Sequence, residues 1–295
     1  MSARAATVAG FCFLAFLTLA DKSAAEASVH RLATWNTQNL RADRPDRKDI
    51  PALRAYAARL NADIVALQET DGPNSAALLF SPDVYDYHFS GRRHPQRTGF
   101  AIRKGVPWTP LPDLNFLNVD ETGAPGHVRH GAAIQVRGLT LVSIHLKSGC
   151  WGGRLSRANR SCQILARQLR FLAAWTAARE GEGRPVVLLG DFNRRLNAPS
   201  GDGRAILTAA VPGLIFTTDQ DRNQQSDCWS HAPRPARHYP AYIDHIVIGP
   251  LAAPRLKPGS FAQVLFDPGL AHKYPFLSDH CAIGISVLVP APGQP

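Results

Sequence analysis

The chain has 295 residues, room for one large α/β domain or two small ones, and its 45% hydrophobic and 19% charged content suits a globular protein with a sizeable core. A formal net charge of +10 attracts polyanions, so nucleic acid, phosphorylated lipid headgroups and anionic membranes are the partners to weigh, beside a basic surface that only keeps the chain soluble. Residues 1–27 read as a signal peptide. Arg4 gives a weak positive start, the apolar run from Val8 to Ala20 falls short of the roughly 20 residues of a membrane span, and Ala25-Glu26-Ala27 offers a small-x-small cleavage pattern. That segment carries Arg4 and Lys22 against Asp21 and Glu26, so cleavage leaves the net charge at +10. No other stretch approaches transmembrane length, and the expected product is soluble, secreted or periplasmic.

Residues 28–290 read as one domain. A first strand is expected from His30 to Asn36, then a helix from Ile50 to Leu60 with Leu53, Tyr56, Ala57 and Leu60 at helical spacing. Ile64 to Leu67 is a short buried strand ending in Gln68-Glu69. A basic loop from Gly91 to Gly99 precedes another strand near Phe100 to Arg103. Leu139 to Lys147 alternates, with Leu141, Ser143, His145 and Lys147 on one side and Val142, Ile144 and Leu146 on the other. A helix is expected from Gln163 to Ala178 and a buried strand from Val186 to Leu189. Residues 194–204 and 219–240 read as loops, followed by strands from Tyr242 to Ile248 and Ala282 to Val289. Residues 291–295 form a tail expected to be disordered.

Beyond Cys12 in the signal segment, Cys150, Cys162, Cys228 and Cys281 allow three pairings. A Cys150–Cys162 disulfide is favoured, because the polar loop between them has little core to hold it. Cys281 is expected as a small buried thiol, and Trp151 as a packing residue rather than a stacking platform. No CxxC spacing points to zinc.

Polar residues recur where apolar strands stop: Asn36, Glu69, His145, Asp191, Asn193, Asp244, Asp279 and His280. A single such carboxylate is usually a cap or a solvated turn. Several converging on one sheet edge raise the energy of the folded state through mutual repulsion, unless a cation or substrate belongs there.

Six stretches in this order resemble the endonuclease/exonuclease/phosphatase family: Thr34-Trp35-Asn36, Ala66-Leu67-Gln68-Glu69, Ser143-Ile144-His145, Gly190-Asp191-Phe192-Asn193, Tyr242-Ile243-Asp244 and Ser278-Asp279-His280. The resemblance spans roughly residues 30–290. It implies a four-layered α/β sandwich, two central mixed β-sheets flanked by helices, with the site at one end. It further implies a Mg²⁺ or Mn²⁺ ion on Glu69, helped by Asn36 and Asp279, a donor set that suits a hard cation. Asp191 and Asn193 would orient the attacking water and a phosphate oxygen. His280, oriented by Asp244, would act beside the scissile phosphate, and His145 would assist the leaving oxygen. Which histidine is base and which acid stays open.

Lys147 is a further candidate for touching phosphate. Arg92, Arg93 and Arg97 could track a nucleic-acid backbone or form a solvated loop. His245, next to Asp244, points to the opposite face of its strand and reads as a core residue, and Gln68 as structural. The chain lacks the long insertions of the family's inositol-phosphate phosphatases and the aromatic hairpin of its sphingomyelinases, which favours nucleic acid as substrate. A phosphomonoesterase, a phospholipid phosphodiesterase and a non-catalytic binding domain are the alternatives, since fold alone does not set function. No motif indicates a protein partner.

Overall fold

The computed structural model describes residues 28–289 except residues 158, 198–200, 222, 224, 231–236, 239 and 274–275. The expected signal peptide and the C-terminal tail lie outside the described residues. The first part of the chain builds one sheet. Strand β1 (Ser28–Leu40) leads through helix α1 (Ile50–Leu60) to β2 (Ile64–Thr70), which pairs parallel to β1 from Leu32↔Ile64 to Asn36↔Gln68. Asp49 caps α1 by accepting from the Ala52 N–H, and Asn61 ends it in the left-handed conformation. The short helix α2 (Gly72–Ala76) precedes β3 (Tyr85–Phe89) and β4 (Arg97–Arg103), which extend the sheet.

The middle of the chain builds a second sheet. Strands β5 (Thr109–Leu114), β6 (Gly131–Val136) and β7 (Leu139–His145) form a meander. Helix α3 (Arg160–Gly181), capped by Asn159, then crosses to β8 (Val186–Asp191), which lies parallel to β7 from Thr140↔Val186 to His145↔Asp191. Helix α4 (Asp202–Ala210) begins where a loop is expected, and β9 (Ile215–Phe216) pairs with the later β12. The segment expected as a loop over 219–240 holds a short antiparallel pair, β10 (Trp229–Ser230) with β11 (Arg237–His238). Strand β12 (Asp244–Ile248) joins β8 antiparallel, and β13 (Ala262–Gln263) and β14 (Ile283–Val289) return to the first sheet beside β1.

Two six-stranded mixed sheets result. Period-two alternation sorts their side chains into three apolar layers. Ile64 and Ala66 meet Leu141, Leu189 and Ile246 between the sheets. Val65 and Leu67 face outward onto Leu53, Tyr56 and Leu60 of α1. Val142, Ile144 and Leu188 face the other way, onto Leu165, Leu169 and Leu172 of α3. This is the expected four-layered sandwich.

Two expectations about cysteine and tryptophan need correction. The Cys150–Cys162 disulfide forms, but Cys281 is no free thiol: it is bonded to Cys228, 53 residues earlier in sequence. Trp151 does not pack inside; it is 52% exposed. Among the described residues no helix is long and apolar enough to cross a membrane.

Candidate active site

Register brings the site together. Both parallel pairs place their C-terminal strand ends at the same edge, so Asn36 and Glu69 arrive from one sheet and His145 and Asp191 from the other. Antiparallel pairing sets Asp244, the first residue of β12, directly opposite Asp191. The turn before β14 brings in Asp279 and His280 and is tied to β1 twice. Ser278 Oγ donates to the Asn36 carbonyl at 2.6 Å, and Trp35 Nε1 donates to the His280 carbonyl at 3.2 Å.

Glu69 would point away from the cleft if β2 alternated without interruption. Instead the register slips between Gln68 and Thr70, and Glu69 takes a positive φ of 53°. This bulge re-aims its carboxylate among the other groups. Gly190 serves the neighbouring pair: a Cβ there would overlap the Ile144 carbonyl oxygen, so only glycine lets β7 and β8 close up where they carry His145 and Asp191.

The side chains form a connected network. Asp191 accepts from the Asn193 backbone N–H at 2.7 Å through Oδ1, and from the Asn36 and Asn193 amide groups, both at 3.1 Å, through Oδ2. Asn36 Nδ2 also donates to Glu69 Oε1 at 3.2 Å, while its Oδ1 accepts from the Gln38 N–H, so its nitrogen faces the carboxylates. His145 Nε2 lies 3.4 Å from Asp191 Oδ2 and 3.8 Å from Glu69 Oε1. His280 Nδ1 donates to Asp244 Oδ2 at 2.7 Å, and its Nε2 stands 3.8 Å from both Asp191 Oδ2 and Asp279 Oδ1. Ligand atoms of Asp191, Asp244 and His280 all fall within 4.8 Å of one another. Asp244 Oδ1 and His145 Nδ1 are buried with no hydrogen-bond partner.

Burial and charge drive the protonation states apart. Asp191 is pushed up to about 7, first by burial and then by the Asp244 charge, against the pull of His280. Burial, with Arg129 and His280 adding to it, holds His145 well below its usual range, so it is neutral at pH 7. Burial would do the same to His280, but the charge and hydrogen bond of Asp244, with Asp191 and Asp279 behind them, raise it well above its usual range. His280 is therefore an imidazolium.

Three participants have no sequence motif. Arg129, just before β6, is half-buried at the β7 end and donates to the His145 and Leu146 carbonyls. Burial pulls its pKa down, while Asp191 and Glu69 hold it up. Gln96 Nε2 donates to Glu69 Oε2 at 3.0 Å. Lys48 Nζ donates to Gln38 Oε1 and the Leu277 carbonyl, and burial lowers it to about 8 despite Asp279 and Glu69. The antiparallel register of β6 on β7 is the signal that places Arg129, and it is invisible in composition.

The basic candidates do not line the cleft, although the charge of Arg92 reaches His145. Arg97 donates to the Ser90 carbonyl and lies over the Phe89 ring; Arg92 donates to the carbonyls of Gln96 and His127. Arg93 is exposed. Strand β7 stops at His145, short of Lys147, whose ammonium donates to the Ser148 carbonyl. His245 is fully buried on the far face, bonded to Thr218 and the Arg194 carbonyl, and Gln68 bridges Thr34 and Ser143. The network opens into a cleft of about 410 Å³ whose walls include Glu69, Arg129, His145, Asp191, Asp244 and His280.

The profile of the Endonuclease/Exonuclease/phosphatase family matches residues 33–280. Among solved structures, TDP2 of D. rerio humanized by 14 mutations is 18% identical with a TM-score of 0.58, over 88% of this chain and 98% of that one. The 3'-5' exonuclease NExo from Neisseria meningitidis is 18% identical with a TM-score of 0.59, over 86% and 98% of the two chains. An endonuclease/exonuclease/phosphatase from Bacteroides vulgatus is 15% identical with a TM-score of 0.55, over 88% and 98%. No curated protein matches the chain by sequence.

Proposed function

The chain belongs to the endonuclease/exonuclease/phosphatase family, and from that premise we propose a divalent-metal-dependent phosphodiesterase, secreted or periplasmic, that hydrolyses nucleic-acid phosphodiester bonds by in-line attack of water. The observation that carries this reading is the convergence of Glu69, His145, Asp191, Asp244 and His280 on one cleft, with a charged His280 beside a carboxylate of raised pKa. The basic chain favours a polyanionic substrate. Two of the solved structures of similar fold are described with DNA: TDP2 of D. rerio with a single-strand DNA product, and NExo with a product DNA hairpin. The two disulfides support an oxidising compartment.

The residues present fit a hard cation. Glu69 and Asp279 both offer carboxylate oxygens on the cleft wall, the donors that a hard cation takes. Glu69 and Asp279 would hold Mg²⁺ or Mn²⁺, with Asn36 and Gln96 fixing the Glu69 carboxylate. When bound, the ion would neutralise a phosphate oxygen and the developing negative charge. Asp191, poised near neutrality and held in place by Asn193, accepts the proton of the attacking water. His280, kept cationic by Asp244, faces the phosphorus and stabilises charge in the transition state. Neutral His145, its Nε2 3.4 Å from Asp191 Oδ2, relays that proton to the leaving oxygen, which departs as a hydroxyl.

The test uses the protein without residues 1–27, with and without Mg²⁺ or Mn²⁺, on DNA, RNA and a panel of phosphomonoesters. Metal-dependent cleavage of a nucleic acid that weakens steeply with salt is expected, because counterion release accompanies polyanion binding. Release of phosphate from small monoesters with DNA and RNA left intact defeats the reading.

A further inference from the structure

One large aromatic side chain at the cleft is not explained by packing or by the chemistry above. Trp151 is 52% exposed, and it lines the same cleft as His145, Asp191 and His280. An exposed indole on a loose loop would need no explanation, but this loop is held from several directions. The preceding residue is disulfide-bonded to Cys162 in α3, and the Trp151 carbonyl accepts from the Arg195 N–H at 3.0 Å. Buried Arg194 reaches across to the Cys150 and Gly153 carbonyls and is itself paired with Asp202. The fold thus commits a disulfide and a buried guanidinium to presenting an apolar ring to water. Beside the loop that carries the ring stands a cation. Arg195 is exposed, lines the cleft, and lays its guanidinium against Gly152, where a Cβ would sit 3.7 Å from Nη1.

We infer that Trp151 and Arg195 form a nucleotide subsite: the indole stacks on the base next to the scissile phosphate while the guanidinium contacts the adjoining phosphate. An exposed aromatic ring and a cation lining the same cleft match a flat, uncharged ring joined to an anion, which is the chemistry of one nucleotide of a single strand. Stacking is tolerant of sequence because every base has a π-face, and the rigid mount lowers the entropy lost on binding. The inference rests on the phosphodiesterase reading for its substrate, but it concerns binding at the rim rather than hydrolysis.

The test compares a single-stranded oligodeoxynucleotide with the same backbone carrying tetrahydrofuran abasic residues around one phosphate. Two readouts are taken for wild type, Trp151→Ala and Trp151→Phe: kcat/KM with metal, and binding anisotropy in EDTA. Wild type is expected to favour the base-bearing oligomer by roughly tenfold in both. The ratio should fall to near one in Trp151→Ala and largely return in Trp151→Phe. An equal ratio in wild type and Trp151→Ala overturns the inference. So does a Trp151→Ala variant that keeps its oligomer preference but no longer binds phosphatidylglycerol vesicles, which would make the ring a membrane contact. If wild type cleaves neither oligomer yet binds the base-bearing one more tightly through Trp151, the hydrolytic reading fails and the subsite stands.

Discussion

Replacing Asp191 by Asn should abolish turnover and, without divalent metal, make the protein more stable at alkaline pH. Asp191 is 2% exposed, and its pKa is pushed from the ordinary 3.8 up to about 7, mainly by burial. Between those values the folded protein keeps a proton that the unfolded chain has released, so stability is fully present below about pH 4 and falls as pH rises through 7. A shift of that size corresponds to about 4 kcal/mol at pH 8. His280 tilts the same way: its raised pKa adds stability below its unfolded value of 6.5 that is lost as pH climbs through the folded one. Asn at position 191 removes the carboxylate share of this slope.

The gain is not the full figure. An amide nitrogen in place of Oδ2 would meet the amide donors of Asn36 and Asn193, and losing those two acceptor contacts costs roughly 1 kcal/mol each. The new N–H can in turn donate to neutral His145 Nε2, which lies 3.4 Å from the present oxygen. A net stabilisation of about 2 kcal/mol at pH 8 follows, shrinking towards pH 5. Urea unfolding in EDTA at the two pH values measures it as a shift in midpoint at constant slope. An Asp191→Asn variant no more stable than wild type at pH 8, with the same pH dependence, would refute the reasoning.

Three further variants probe how the site is held. Asn36→Ala should weaken metal activation by roughly 10- to 100-fold, because its amide nitrogen fixes the Glu69 carboxylate; metal titrations of activity and calorimetry both read this. Gly190→Ala should cost about 1–3 kcal/mol by forcing β7 and β8 apart at Ile144. Its loss of activity at a temperature where it remains folded should exceed what the unfolded fraction explains. Replacing Cys228 and Cys281 together by Ser should destabilise by about 2–4 kcal/mol in chemical denaturation. It should also lower kcat, since Cys281 adjoins His280; unchanged kcat would show that the turn is positioned by its ties to β1 alone.

Much of the architecture was legible because it depends on local periodicity. Helix α1 spans Ile50–Leu60 as its apolar spacing predicts, and the apolar runs at Ile64 and Val187 form the buried strands they imply. Strand limits were less legible, since parallel pairing carries β1 on to Leu40 and β2 to Thr70, past the last apolar residue of each run. Of the motif residues at strand ends, Glu69, His145, Asp191, Asn193, Asp244, Asp279 and His280 line one cleft, while Asn36 lies buried behind it, bonded to Glu69 and Asp191. What stayed hidden is set by distant geometry. Arg129 is placed by a sheet register, Glu69 by a bulge, and the Cys228–Cys281 bond by two loops that meet only in the finished fold. Trp151 misled because a tryptophan beside a disulfide normally packs, and only the surrounding clamps show that it is displayed.

The site divides into a part that the sheet fixes and a part that is tied on. His145, Asp191 and Asp244 are consecutive neighbours across β7, β8 and β12, so their backbones stand roughly 5 Å apart for as long as the second sheet exists. Asn36 belongs to the other sheet and reaches across to Asp191, which makes the approach of the two sheets part of the chemistry. Glu69 and His280 depend instead on a bulge and on a turn bonded to β1. Repulsion among buried carboxylates works against this assembly. Among the groups that resist it without any ion are His280 and Arg129, both half-buried, whose charges act on Asp191 or its neighbours. Glu69, Asp191, Asp244 and Asp279 outnumber the cations His280 and Arg129 on the cleft wall, and that excess of carboxylate is what the proposed metal ion would offset.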